Sequence, residues 1–271
     1  MKCPPLVMIS ILGAALLSGC ASTGPEKQCA GSEGQCSVVR HDADEPLRRG
    51  DFEVMLKTYL DEHPEIIAEV SQKLRIKQMA ERQVQGQKAL AENRSALFED
   101  PTDPVIGNPR GDVTLVEFFD NECPFCKKLS PAIEKLVSED PGVRVVLKEF
   151  PILGPGSEIS ARYALAAIGQ GKYARFHNAL MEDKTPEHQL AEPHILEMAA
   201  KAGLDVERLK KDAAQPAIAS RIEANRLLAR KLTISGTPGL VVGDKIESGA
   251  LTIELLRQAV AEMRKAHQPV G

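Results

Sequence analysis

The residues of this chain best equipped for chemistry are Cys123 and Cys126, two residues apart in the run VTLVEFFDNECPFCKK from Val113 to Lys128. A dithiol at this spacing, where a strand-like apolar run gives way to a helix, is suited to making and breaking a disulfide. Cys123 falls at the N-terminus of that helix. Unpaired backbone N–H groups and the helix dipole favour a negative charge there, which stabilises its thiolate. Pro124 suits the first helical turn, because its missing N–H costs nothing and its φ is already helical. Apolar residues at Phe125, Leu129, Ile133, Leu136 and Val137 recur with helical spacing and turn Cys126 inward. The expectation is an exposed attacking thiol at Cys123 and a sheltered resolving thiol at Cys126, as exchange through a mixed disulfide requires.

Other uses of the pair fit less well. A structural zinc site needs four ligands, and the sequence holds no second Cys-x-x-Cys. His177, His188 and His194 are scattered along a polar helical stretch and are expected at the surface or at helix caps. No metal and no other cofactor is called for. An inert structural disulfide is the remaining alternative, but a bridge closing so short a loop constrains the unfolded chain little.

The elements that must carry these thiols read as follows. Residues 46–100 are almost continuously helical, with a break at Pro64. Phe52, Met55, Leu56, Tyr59, Leu60, Ile66, Ile67, Val70 and Leu74 form apolar stripes, whereas Arg75 to Leu97 is mainly charged. Such an arm has too little core of its own, which favours self-association over folding back on its own domain. A turn-rich boundary runs from Pro101 to Gly111. Val113–Phe119 reads as a strand apolar on both faces, followed by a helix to Ser138 and a strand Val143–Phe150, together a right-handed β-α-β unit. Helices fill 157–232. Then come GTPG at 236–239, a strand Leu240–Val242, a return strand near Lys245–Ser248, and a last helix capped by Thr252. This order is an α/β thioredoxin fold with an inserted helical domain, preceded by an N-terminal helical arm, the domain proper covering 105–271.

The chain begins with Lys2, an apolar segment Leu6–Leu17 and Leu17-Ser18-Gly19-Cys20. The apolar segment is too short for a membrane span and fits a secretory signal, residues 1–19. The ending resembles a bacterial lipobox, which implies lipidation of Cys20. Ala21 after it leans towards the outer membrane, and a polar tether follows over 20–45. Export implies a disulfide-permissive compartment, the periplasm. Cys29 and Cys36 lie in the tether among Gly, Ser and Gln and are read as non-catalytic. A net charge of -4 with 27% charged residues gives no indication of nucleic acid binding.

EFFDNECPFCK at 117–127, KEFPILG at 148–154, the helical insertion and GTPG at 236–239 together resemble the DsbA-like family of periplasmic thiol:disulfide oxidoreductases. YLDEHPEII at 59–67 is similar to the helical oligomerisation region of the ScsC-like subgroup, some of whose members are trimeric isomerases. The resemblance implies that Cys123 attacks and Cys126 resolves. It makes Pro238 the cis-proline facing the pair, with the Thr237 backbone beside a bound client strand and Pro124 and Phe125 at the client surface. Glu117 matches a buried acid beneath the site, a proton acceptor for Cys126, with Lys148 as its partner; a purely structural ion pair is the alternative for these two. Phe125 stands where strongly oxidising members carry histidine and donates no hydrogen bond to the Cys123 thiolate, which points towards a less oxidising disulfide.

The leading expectation is a disulfide isomerase or reductase acting on unfolded or misoxidised secreted proteins, recycled by a membrane redox partner, lipid-anchored and homo-oligomeric. The alternatives are a DsbA-like oxidase and, in another class, a periplasmic holdase lipoprotein.

Overall fold

The computed structural model describes residues 48–267. Cys3, Cys20, Cys29, Cys36, the signal segment and the tether lie outside them. The chain divides at Pro64 into two compact units, Met1–Pro64 and Glu65–Gly271.

The described part of the first unit is helix α1, Arg49–Glu62, none of whose residues is buried. The second unit opens with α2, Pro64–Glu92, and the short α3, Arg94–Phe98. Pro64 begins α2, where a proline's missing N–H is harmless. Most of α2 is exposed; only Gly86 and Leu90 are buried.

A five-stranded sheet follows, built from β1 (Val105–Gly107), β2 (Val113–Phe119), β3 (Val143–Glu149), β4 (Gly239–Val242) and β5 (Lys245–Ser248) in the order β1-β3-β2-β4-β5. β2 and β3 are parallel, joined by α4, Pro124–Glu139; the other pairings are antiparallel. β1 falls inside the expected turn-rich boundary. Its three residues carry no periodic signal, and pairing with β3 makes them a strand.

The insertion comprises α5 (Pro155–Ala167), α6 (Tyr173–Glu182), α7 (Glu192–Lys201), α8 (Val206–Ala213) and α9 (Pro216–Lys231); α10, Ile253–His267, closes the chain. Asp205 caps α8 by accepting from Arg208 N, and Thr252 Oγ1 accepts from Leu255 N at the start of α10.

Two cores lie on opposite faces of the sheet. Leu115, Phe119, Val145 and Leu147 meet Cys126, Leu129 and Ile133 of α4, Leu256 and Val260 of α10, and the insertion. Val116, Phe118 and Val146 face the other way, onto Leu228 and Ala229 of α9, and onto Leu90 and Leu97. The last turns of the arm thus help to cover the sheet.

Candidate active site

The dithiol sits where β2 ends and α4 begins. Cys123 is the N-cap of α4, with extended backbone (φ -69, ψ 119), and its carbonyl accepts the Lys127 N–H at 3.0 Å as the first helical bond. Cys126, Leu129, Ser130, Ile133 and Leu136 are the buried face of the helix, so the second cysteine points into the core by amphipathic spacing. The Thr237–Pro238 peptide is cis, and the Cys123 Sγ–H donates to the Thr237 carbonyl at 3.3 Å across 114 residues of sequence.

Cys126 is wholly buried, as its helical position implies, but Cys123 is also covered, only 4% exposed. The expectation of an exposed attacker is corrected in degree: the turn ahead of Pro238 covers the thiol. Phe125 between them is 61% exposed.

The two thiols titrate far apart. The Cys123 thiol is pulled down to about 6, first by the Cys126 thiol donating to it, then by the Thr237 side chain and by the N–H groups of Cys126 and Phe125, against a burial penalty. Burial pushes the Cys126 thiol far up, and the Cys123 and Glu117 charges push it further. Glu117 on β2 is buried beneath the pair, its carboxyl pushed up to about 8 by desolvation and then by the Cys123 charge.

Lys148 does not pair with Glu117. In the β2–β3 register Glu117 stands opposite Leu147, and Lys148 opposite Phe118. Side chains alternate along a strand, so the two point to opposite faces of the sheet. Lys148 Nζ donates to the Ala96 carbonyl at 2.7 Å and pairs closely with Asp103, whose other oxygen accepts from Arg221 at 3.0 Å. Asp103 and Lys148 are both buried, so the lysine ties α3 and the following turn to the sheet.

The turn that presents Cys123 is held by acids that sequence reasoning did not single out. Asp120 Oδ1 accepts from Glu122 N at 2.8 Å, and its Oδ2 accepts from Ile152 N at 2.7 Å and Leu153 N at 3.0 Å. Glu122 Oε1 accepts from Leu190 N at 3.0 Å. Ser157 Oγ lies 2.6 Å from Asp120 and 3.0 Å from Glu122, and its single proton serves one of them at a time. Gly156 makes this approach possible, since a Cβ there would stand 2.4 Å from the Leu190 carbonyl.

Beside this turn Asn121 Nδ2 donates to Glu149 at 2.9 Å and the Tyr173 hydroxyl lies 3.3 Å from the other Glu149 oxygen. Burial raises the Glu149 carboxyl well above the usual range. His177, expected at the surface, is buried. It stacks on Tyr173 at 5.7 Å and meets Phe119 edge-on at 5.0 Å, and burial pulls it down to about 4. Its place on the buried face of α6, between Phe176 and Leu180, was the available signal. His194 remains partly exposed, bonded to Asp183 at 2.7 Å, and His188 is exposed beside the Leu153 carbonyl.

Among known proteins, a thioredoxin-like oxidoreductase from Silicibacter pomeroyi DSS-3 is 46% identical, with a TM-score of 0.62 over 64% of this chain and 98% of that one. ScsC of Proteus mirabilis in a compact conformation is 29% identical, with a TM-score of 0.61 over 81% of this chain and 100% of that one. A Na(+)/H(+) antiporter, NhaA 3 of Salinispora tropica, is 31% identical over 166 residues, 59% of this chain. The chain spans only 25% of that antiporter's length. The family model described as a DSBA-like thioredoxin domain matches residues 114–261, which include both cysteines, the helical insertion and the cis Thr237–Pro238 bond. With a dithiol on a helix N-terminus facing a cis-proline turn, and that match over more than half its length, the chain belongs to the DSBA-like thioredoxin domain family.

Proposed function

We propose that the protein is an exported thiol:disulfide oxidoreductase that reduces and reshuffles disulfides of secreted proteins, with Cys123 as attacking thiol and Cys126 as resolving thiol. The observation that carries this reading is the placement of the two thiols, Cys123 at the N-terminus of α4 and 3.3 Å from the Thr237 carbonyl, Cys126 wholly buried three residues on, so that the first is pulled down to about 6 and the second pushed far up. Near neutral pH Cys123 is mostly thiolate while Cys126 keeps its proton.

The Cys123 thiolate attacks one sulfur of a client disulfide; a Cys123–client bond forms and the client's other sulfur leaves as thiolate. From there two outcomes balance. The freed client thiolate can attack a third client sulfur, and a client thiol then displaces Cys123, with no net oxidation. Alternatively Cys126 loses its proton and attacks Cys123 Sγ, releasing reduced client and leaving a Cys123–Cys126 disulfide for a membrane redox partner to reduce.

Glu117 is the acceptor for the Cys126 proton. In the mixed disulfide Cys123 carries no charge, so one cause of the raised Glu117 carboxyl vanishes and the group becomes more ionised when an acceptor is needed. Lys148, bound to Asp103, has no part in this step. Pro124, Phe125, Thr237 and Pro238 form the surface that meets the client.

The isomerase and reductase reading, over the oxidase, is supported by what surrounds Cys123 Sγ. Its partners are Cys126, Thr237 and backbone N–H groups, with the Glu117 carboxyl opposing charge there. Without a cationic side chain the thiolate gains less, and the disulfide is correspondingly less oxidising. Lipid attachment at Cys20 with periplasmic residence, and self-association through the arm, belong to the same proposal.

The deciding experiment is recovery of a scrambled-disulfide model enzyme by protein from Glu45 onward, beside Cys123→Ala. Recovery by wild type and none by Cys123→Ala is the expected result. Oxidation of a reduced client without reshuffling would identify an oxidase, and protection from aggregation that survives Cys123→Ala without any exchange would identify a holdase.

A further inference from the structure

A cleft of about 660 Å³ opens beside the active-site turn, between Arg82 and Gln85 of α2, Arg226 and Arg230 of α9, and a wall of Phe150 and Ile234. Its lining also includes Ser235, two residues ahead of Thr237, whose carbonyl touches Cys123, and Ile152, 42% exposed, on the loop held by Asp120. The lining of the cleft thus comes within two residues of the carbonyl that touches Cys123.

The charges in it do not cancel. Arg226 is bound to Glu158 at 2.6 Å and lies 3.8 Å from Glu223, and Arg230 is bound to Glu223 at 2.9 Å. Arg82 is exposed and, among the described residues, has no carboxylate within ion-pair reach. Three guanidiniums thus face two carboxylates. Arg226 and Arg230 sit four residues apart on α9, so they project from the same face one turn apart, and Arg82 approaches from a different helix. Guanidinium forks on two sides of an apolar wall suit the carboxylates of an extended acidic segment, with its aliphatic stems against Phe150 and Ile234.

We propose that this cleft is a client-selecting subsite that takes an acidic stretch of polypeptide flanking the client cysteine, with Arg82 as the residue that supplies the uncompensated charge. This rests on the thiol-exchange reading above and gives it a substrate class. It also gives α2 a role beyond spacing, because Arg82 and Gln85 come from the arm.

The test uses protein from Glu45 onward with three peptide disulfides identical except for the residues flanking the cysteine, acidic, neutral or lysine-rich, and the uncharged bis(2-hydroxyethyl) disulfide as a control. In low salt, kcat/KM is expected to favour the acidic peptide over the lysine peptide by about fivefold or more, the yield of a few part-exposed charge pairs, and to lose that preference at high salt. Arg82→Glu should abolish or invert the preference while leaving the rate with bis(2-hydroxyethyl) disulfide unchanged. Equal rates for the three wild-type reactions, or a preference that survives Arg82→Glu, overturns the subsite. Loss of exchange with every peptide and with bis(2-hydroxyethyl) disulfide would instead overturn the thiol-exchange reading, and the subsite with it.

Discussion

Cys123 and Glu117 show how one buried site separates two titrations. Alkylation of Cys123 by iodoacetamide should rise with a midpoint about 6, well below an ordinary thiol, while Cys126 stays unreactive until the protein unfolds. Mass spectrometry of the labelled sites decides this, and a single midpoint near 8.5 would remove the basis for Cys123 as attacker. Glu117 gives a second expectation. Its carboxyl is raised in the fold, so burial is tolerated while it is protonated, and stability is lost as pH rises from about 4.5 through about 8. Glu117→Gln should therefore be more stable than wild type at pH 8, by on the order of 2–5 kcal/mol, and little different at pH 4. In stopped-flow kinetics the same variant should form the mixed disulfide normally and resolve it about tenfold or more slowly. Unchanged resolution would return Glu117 to a structural role. His177 runs the other way: its neutral form is held by burial, so stability is complete above about 6.5 and falls as pH drops through about 4.

At the level of elements, Leu97 of α3 is fully buried against the sheet face that carries Val116 and Phe118, whereas Leu74 of α2 is 53% exposed. Leu97→Ala should cost about 2–4 kcal/mol in denaturant unfolding and Leu74→Ala almost nothing. Equal effects would mean that α3 does not belong to the catalytic core. Most elements were legible beforehand because their signals are local. β5 matches its expected bounds, β2 and α4 match within a residue, and Pro64 and Asp205 mark helix starts. β1 was not legible, since three residues cannot show a period. The burial of Leu90 and Leu97 was not legible either, because single leucines in a charged helical stretch look the same whether they meet solvent or a sheet. Gly86 marks the place: a Cβ there would lie 3.1 Å from Ile246 Cδ1, so glycine lets α2 settle against the β5 edge.

For the whole molecule, α1 buries none of its residues and leaves Phe52, Met55, Leu56 and Tyr59 between 43% and 52% exposed. An apolar face of this extent is what a contact with further copies would cover. Leu56→Glu combined with Tyr59→Glu should convert an assembled species to monomers by light scattering and reduce recovery of a scrambled substrate, while each site still reduces glutathione disulfide at its former rate. A monomeric wild type would remove assembly from the proposal. Sequence by itself determined the dithiol, its place on a helix N-terminus, the inward turn of Cys126 and the α/β order of elements, because each depends on neighbours within a few turns of chain. Tertiary structure alone decided the rest. It set how deeply Cys123 is covered, since its lid is Thr237, 114 residues away. It chose Asp103 over Glu117 as the partner of Lys148, since that depends on a strand register that sends the two side chains to opposite faces. It also brought arginines of α2 and α9 together beside the redox site, since convergence of distant helices follows from packing and leaves no local pattern to read.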